Sequence, residues 1–124
     1  MLTKNQIEKI KNNEKVIFTT SSKTGQPRSI YVVPSRIEEK CIILSSIQME
    51  KSFENVKENS KCFINVYFED EDLQYKIEGT AEVFDTGELF EEIKEFEERE
   101  NLPADLKVNA IIVIGITTFE ESIG

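Results

Sequence analysis

Four side chains in the first half of the chain have the chemistry to hold an anion: Arg28, Ser45, Ser46 and Lys51. Ser45 and Ser46 close the apolar run Cys41–Leu44, and Lys51 follows at the start of a helical pattern. Small hydroxyls at a strand end, an ammonium just beyond and a guanidinium nearby suit a phosphate, which accepts several charge-assisted hydrogen bonds at once. Each also has a plainer reading. Arg28 is equally at home as a solvated strand end, Ser45 and Ser46 as a loop or helix cap, and Lys51 as a surface lysine. Other reactive groups lack partners. The hydroxyls of Thr20, Tyr31 and Tyr67 have no base beside them in the sequence, and the chain contains no histidine. The acidic stretch Asp70–Glu71–Asp72 lacks the glycine and final glutamate of a calcium loop and reads as a solvated turn. Cys41 and Cys62 form no CxxC pair and sit in apolar runs, so buried reduced thiols and no metal site are expected.

Composition narrows the partners. The chain has 124 residues, 39% of them hydrophobic, which predicts a single domain over 1–124 with one core. A formal net charge of −9 repels nucleic acid and anionic membrane, so neither is expected as a partner. The acid is uneven: Glu69–Asp72 and Glu88–Glu100 hold much of it, while the stretch from Lys15 to Lys61 is closer to neutral. A locally positive pocket on an acidic protein is compatible with that distribution. The N-terminal stretch has no apolar signal core and no run is long enough to span a bilayer, which points to the cytoplasm.

The elements that must position these residues follow from periodicity. A short helix over Leu2–Lys11 opens with Thr3 and Gln6 at capping-box spacing. Strands are predicted at Val16–Ser21, Arg28–Val33, Cys41–Ser45, Lys61–Phe68, Gln74–Phe84 and Val108–Phe119. Gly25 and Pro27 mark the turn between the first two, and Pro34 ends the second. Helices are predicted at Gln48–Asn59, with Met49, Phe53 and Val56 on one face, and at Thr86–Glu100, with the stripe Leu89, Ile93 and Phe96. The run Ala110–Ile116 is apolar on both sides, which in an antiparallel protein means cover on both faces, by the core and by a helix or a second subunit. Six strands joined mostly by turns favour a mostly β fold, a closed or nearly closed antiparallel barrel with about three flanking helices.

The order of elements and several motifs resemble the pyridoxamine 5′-phosphate oxidase-like, FMN-binding split-barrel family. The resemblance covers Val16–Phe119. It rests on the hairpin Gly25-Gln-Pro-Arg28, on Ile43-Leu44-Ser45-Ser46 followed by Lys51, on Asn55-Val56-x-x-Asn59, and on Gln74-Tyr-Lys-Ile-Glu-Gly79. It implies a six-stranded antiparallel split barrel that binds FMN. It further implies that Arg28 reaches the phosphate, that Ser29, Ile30, Tyr31 and Val33 line the isoalloxazine ring, partly through main-chain groups, and that Ser45 and Ser46 are the phosphate-binding hydroxyls. Lys51 matches the second base of a basic pair and Gln74 a glutamine that touches the cofactor. No catalytic residue is assigned. A homodimer with the cofactor in a groove between subunits is implied.

Departures from the pattern shape the expected activity. Glu50 takes the place of the first base, Val33 stands where the oxidases carry a lysine, and their Arg/Trp-rich C-terminal segment has no counterpart. The expectation is therefore an FMN-dependent oxidoreductase acting on a small molecule other than pyridoxamine 5′-phosphate. A flavin carrier or sensor without turnover, a deazaflavin in place of FMN, and a cofactor-free barrel dimer acting as an interaction module are the alternatives.

Overall fold

The computed structural model describes residues 1–13 and 16–123; Glu14, Lys15 and Gly124 lie outside it. Helix α1 (Lys4–Lys11) is set by its cap: Thr3 Oγ1 accepts from the Gln6 N–H, and Gln6 Oε1 accepts from the Thr3 N–H. The strands are β1 (Val16–Ser21), β2 (Pro27–Val32), β3 (Arg36–Ile37), β4 (Cys41–Ser46), β5 (Lys61–Phe68), β6 (Leu73–Phe84) and β7 (Ala110–Ile123). Helix α2 (Lys51–Glu58) follows β4, and α3 (Glu88–Glu100) follows β6. No helix among the described residues is long and apolar enough to cross a membrane.

All strands join one antiparallel sheet in the order β2-β1-β5-β6-β7-β4-β3. Its two edge strands, β2 and β3, are consecutive in the sequence and separated only by Val33, Pro34 and Ser35. Four Cα steps from Val32 to Arg36 span at most about 15 Å. The sheet must therefore curl until its edges nearly meet. It is a split barrel: the seam is crossed by the chain and is not zipped by a ladder of hydrogen bonds. Six strands are expected from the sequence and the described residues form seven, because β3 is a two-residue strand, too short for alternation to reveal. It is fixed by pairing Arg36 with Ile43 and Ile37 with Ile42. Strand β7 also runs four residues past the predicted Phe119, since its polar end Glu120–Ile123 still pairs with Leu73–Lys76.

Inward side chains follow the strand period of two. Val16, Phe18, Ile64, Val66, Ile77, Ile112 and Ile114 fill the barrel, and Leu2 and Ile10 of the N-terminal segment and Val56 of α2 join that core. On the outer face, Phe90 and Ile93 of α3 pack on Ile43, Val108 and Ile111. Strand β7 is thus covered on both faces, as its sequence requires, and the outer cover is a helix. Cys62 faces the core, and burial pushes its thiol up to about 12. Cys41 departs from the expected buried thiol: it lies on the outer face of β4, half-buried, and donates to Glu38 Oε1.

Strand β6 is kinked by a bulge between Glu78 and Gly79, where it passes close to β7. A Cβ on Gly79 would come within 2.4 Å of Ile114 Cγ2 and 2.8 Å of the Gly115 carbonyl oxygen. Ile114 is buried and has nowhere to retreat. Gly79→Ala is accordingly expected to cost about 1–3 kcal/mol, the range for overpacking. Urea unfolding reads this directly, and an unmoved midpoint contradicts it.

Candidate functional site

The open seam of the barrel is a cleft of about 730 Å³. One wall is β2 and the segment after it, with Arg28, Ile30, Tyr31, Val33, Pro34 and Ser35. Ser45 and the loop Ile47–Glu50 form a second side, and Phe96 and Glu97 of α3 with Asn101 and Leu102 form the far wall. The fold dictates this placement. An edge strand keeps one row of main-chain N–H and C=O groups available, and β2 is an edge strand. Arg28 and Val33 are five residues apart on an extended chain, about 16 Å at the usual strand rise. Arg28 and Ile30 share the face of their β1 partners Thr20 and Phe18, and Tyr31 alternates to the other face opposite Ile17, so the cleft runs along the edge of β2 and meets side chains from both of its faces.

The apolar part stands out. Tyr31 is 74% exposed, Val33 83% and Phe96 48%. All three line the cleft. Exposed apolar surface gathered in one place marks a binding face more often than chance. The end of α3 is held there by a polar clamp. Glu98 Oε2 accepts from the Val108 N–H at 2.8 Å and from Lys94 Nζ, which also donates to the Val108 carbonyl. The Lys94 bond holds the Glu98 carboxyl below its ordinary value. Beside it, Asn101 Nδ2 donates to Glu97 Oε1 at 2.8 Å.

Arg28 of β2 and Glu50 at the start of α2 both line the cleft. Among the described residues the Arg28 guanidinium makes no ion pair or hydrogen bond, and it is exposed. Helix α2 begins with Glu50 at φ 49°, ψ −102°, a conformation unfavourable for any residue with a Cβ, and no side chain caps its first turn. The Ser52 N–H is taken by the Met49 carbonyl at 3.2 Å, and the remaining N–H groups of this first turn suit an anion. Ser45 Oγ lies 2.6 Å from Ser35 Oγ, tying β4 to the seam-crossing segment.

Of the residues predicted to touch a cofactor, the cleft brings together Arg28, Ile30, Tyr31, Val33 and Ser45. The other four lie off its lining. Ser29 turns to the outer face, where its hydroxyl meets Thr19 Oγ1 at 2.8 Å. Ser46 is buried on the inner face of β4. Lys51 is exposed at the start of α2, next to the lining residue Glu50. Gln74 pairs with Tyr67 and Ser122, and β1 and β5 separate its strand from β2. Sequence reasoning missed the far wall. The sequence puts Phe96 on one stripe with Leu89 and Ile93, yet the buried residues of α3 are Phe90 and Ile93, and Phe96 lines the cleft.

The hydroxyl of Ser52 in α2 is fully buried, and no partner for it is found among the described residues. Removing an unpaired buried hydroxyl is neutral or favourable. Ser52→Ala should leave stability unchanged or raise it by up to about 1 kcal/mol in urea unfolding. A clear loss would reveal a partner for that oxygen.

Comparison with known proteins adds three findings. A family model described as pyridoxamine 5′-phosphate oxidase matches residues 2–120. An uncharacterised protein of Methanocaldococcus jannaschii is 31% identical over 121 residues, covering 94% of this chain and 77% of that one. Two solved structures share the fold: HupZ of Group A Streptococcus, 21% identical with a TM-score of 0.83 over 96% of this chain and 92% of that one, and an FMN-binding protein of Syntrophomonas wolfei, 18% identical with a TM-score of 0.72 over 93% and 84%.

Proposed function

Because the chain belongs to the pyridoxamine 5′-phosphate oxidase family, we propose that it is an FMN-binding flavoprotein, an oxidoreductase for a small molecule that works as a homodimer. The observation that carries this reading is the seam cleft along an edge strand, lined by a guanidinium that makes no ion pair among the described residues and by exposed apolar side chains. The residues present fit the cofactor's two ends. Arg28, with the uncapped start of α2 and the nearby Lys51, suits a phosphate tail. Ile30, Tyr31, Val33 and Phe96 suit a flat tricyclic ring. The fold relative from Syntrophomonas wolfei is described as FMN-binding, which supports the same choice.

When bound, FMN supplies two-electron transfer between donor and acceptor; the protein supplies binding, orientation and electrostatics. Arg28 neutralises charge at the tail. The free main-chain edge of β2 would supply hydrogen-bonding groups to the polar rim of the ring. The apolar side chains of the two walls exclude water from the ring face. Glu50 beside Lys51 removes one positive charge that a second base would supply, so the phosphate is held less tightly than by a full basic pair. A second copy of the chain closing over Tyr31 and Val33 completes the enclosure, and only across such a contact can Gln74 reach a cofactor.

The test is a titration of the purified protein with FMN. Binding at one FMN per chain with quenched ring fluorescence is expected. Unquenched fluorescence at saturating FMN contradicts the reading, and binding of a deazaflavin in preference to FMN redirects it. Steady-state oxidation of a reduced nicotinamide by the FMN-loaded protein separates an enzyme from a carrier or sensor.

A further inference from the structure

We infer that the turn Ile47–Glu50 is a strained side of the cleft, and that Asn109, which lies outside the lining, is the positioning residue that holds it in its binding shape. What the turn holds rests on the FMN reading above; the strain and its restraint do not.

Two costs sit side by side at the start of α2. Glu50 has φ 49°, ψ −102°. A residue with a Cβ keeps such a conformation only where its surroundings over-determine it. Two residues on, the Ser52 hydroxyl is fully buried, with no partner found among the described residues. Strain and an orphaned polar atom at one turn indicate a shape imposed from outside it.

The restraints come from both ends. On the helix side the turn is tied within itself: the Ser52 N–H donates to the Met49 carbonyl at 3.2 Å and the Glu54 N–H to the Glu50 carbonyl at 3.0 Å. On the strand side it is tied to Asn109. The ladder of β4 and β7 ends with Ser46 opposite Ala110. Asn109 carries it one step further. Its N–H donates to the Ser46 carbonyl at 2.9 Å, and its Nδ2 donates to the Ile47 carbonyl at 3.0 Å. The side chain thus replaces a strand partner where β4 turns away into the lining of the cleft. Asn109 is itself held through its neighbour. The Val108 N–H donates to Glu98 Oε2 at 2.8 Å, and the Val108 carbonyl accepts from Lys94 Nζ at 3.3 Å. Both partners belong to α3, whose Phe96 and Glu97 form the far wall. Two sides of the cleft are therefore joined at one dipeptide, Val108–Asn109. The Nδ2 bond is the link that a substitution can cut. Without it the Ile47 carbonyl loses this partner, and the turn relaxes toward an ordinary φ at Glu50.

The experiment compares wild type, Asn109→Ala, Glu50→Gly and the double variant, first without ligand and then with FMN. Amide hydrogen exchange reads the turn. Asn109→Ala should speed exchange of the Ser52 and Glu54 N–H groups roughly five- to tenfold, the equivalent of one net hydrogen bond, and leave Ile77 in the middle of β6 unmoved. Glycine adopts a positive φ without a Cβ penalty. In the Glu50→Gly background, Asn109→Ala should therefore change exchange by no more than about twofold. Glu50→Gln removes the charge and keeps the strain, so it should not rescue. FMN affinity should follow the same pattern: a roughly fivefold loss on Asn109→Ala that shrinks in the glycine background. Asn109 is exposed, so the urea midpoint should barely move. Exchange at Ser52 and Glu54 that Asn109→Ala leaves unmoved, or speeds equally in the glycine background, overturns the inference whether or not FMN binds. A large fall in the urea midpoint with faster exchange across the whole sheet makes Asn109 a structural residue only and overturns it too. FMN affinity unmoved by Asn109→Ala overturns the positioning role. The expected exchange pattern with no FMN binding by any of the proteins overturns the cofactor reading and leaves the restraint standing.

Discussion

Arg28→Ala should weaken FMN binding by about 1–3 kcal/mol, roughly five- to 150-fold, without lowering the stability of the protein. The stability half follows from the structure: the side chain is exposed and its guanidinium makes no ion pair among the described residues, so nothing in the fold is lost with it. The affinity half follows from charge. A chain of net charge −9 repels a phosphate at long range, and the lining adds Glu50 and Glu97 against Arg28 alone. The one guanidinium of the lining, with no ion pair among the described residues, then carries a large share of the attraction. Arg28→Lys should fall between the two, because an ammonium keeps the charge and loses the two-pronged hydrogen bond. Lys51→Ala should fall within the same range as Arg28→Ala, at its lower end because Lys51 lies just outside the lining. Added salt should weaken wild type more than Arg28→Ala. Unchanged affinity in both alanine variants would remove the phosphate assignment.

Val33→Asp should both dissociate the proposed dimer and abolish tight FMN binding. Val33 and Tyr31 are the most exposed large apolar residues of the cleft, at 83% and 74%. In a single chain an aspartate there is harmless, since Val33 follows the last residue of β2 and contributes nothing to either hydrophobic cluster. Under a second subunit or against a flavin ring the same carboxylate loses its water without gaining a partner, which costs several kcal/mol. Sedimentation equilibrium should show the mass of two chains for wild type and of one for the variant, with FMN affinity reduced at least about a hundredfold. Thermal unfolding at low protein concentration should be unaltered. A variant that remains dimeric and binds FMN like wild type would contradict both the interface and the ring site.

The local elements were legible where alternation was clean. VIFTTS and KCFINVYF switch between inside and outside at every residue, and β1 and β5 have the bounds their sequences predict. The barrel class followed from strand count and short turns. The seam did not, because it depends on which strands end up at the sheet's edges, a property of the whole topology. The period of two also limits what adjacent residues can do together. Ser45 and Ser46 are neighbours on one strand, so they point to opposite faces, and only Ser45 meets the cleft. Ser29 is turned away from Arg28 and Ile30 by the same rule. Phe96 and Glu97 were hidden for another reason. They sit on a helix whose apolar stripe reads as core throughout, and nothing local separates the turn that packs on β7 from the turn that overhangs the seam. Lys51 is marked by its charge just past the strand-end hydroxyls and Gln74 by likeness to a motif alone, and a single chain leaves both outside the cleft.

The proposed FMN site is the seam between β2 and the end of α3. Methyl-labelled NMR tests it residue by residue. On addition of FMN the account predicts large ring-current shifts for Ile30, Val33, Ile47, Met49 and Leu102, with Leu73 and Ile123 at the far end of β6 and β7 serving as the quiet reference. Shifts centred away from the seam, or no shifts at saturating FMN, would contradict it.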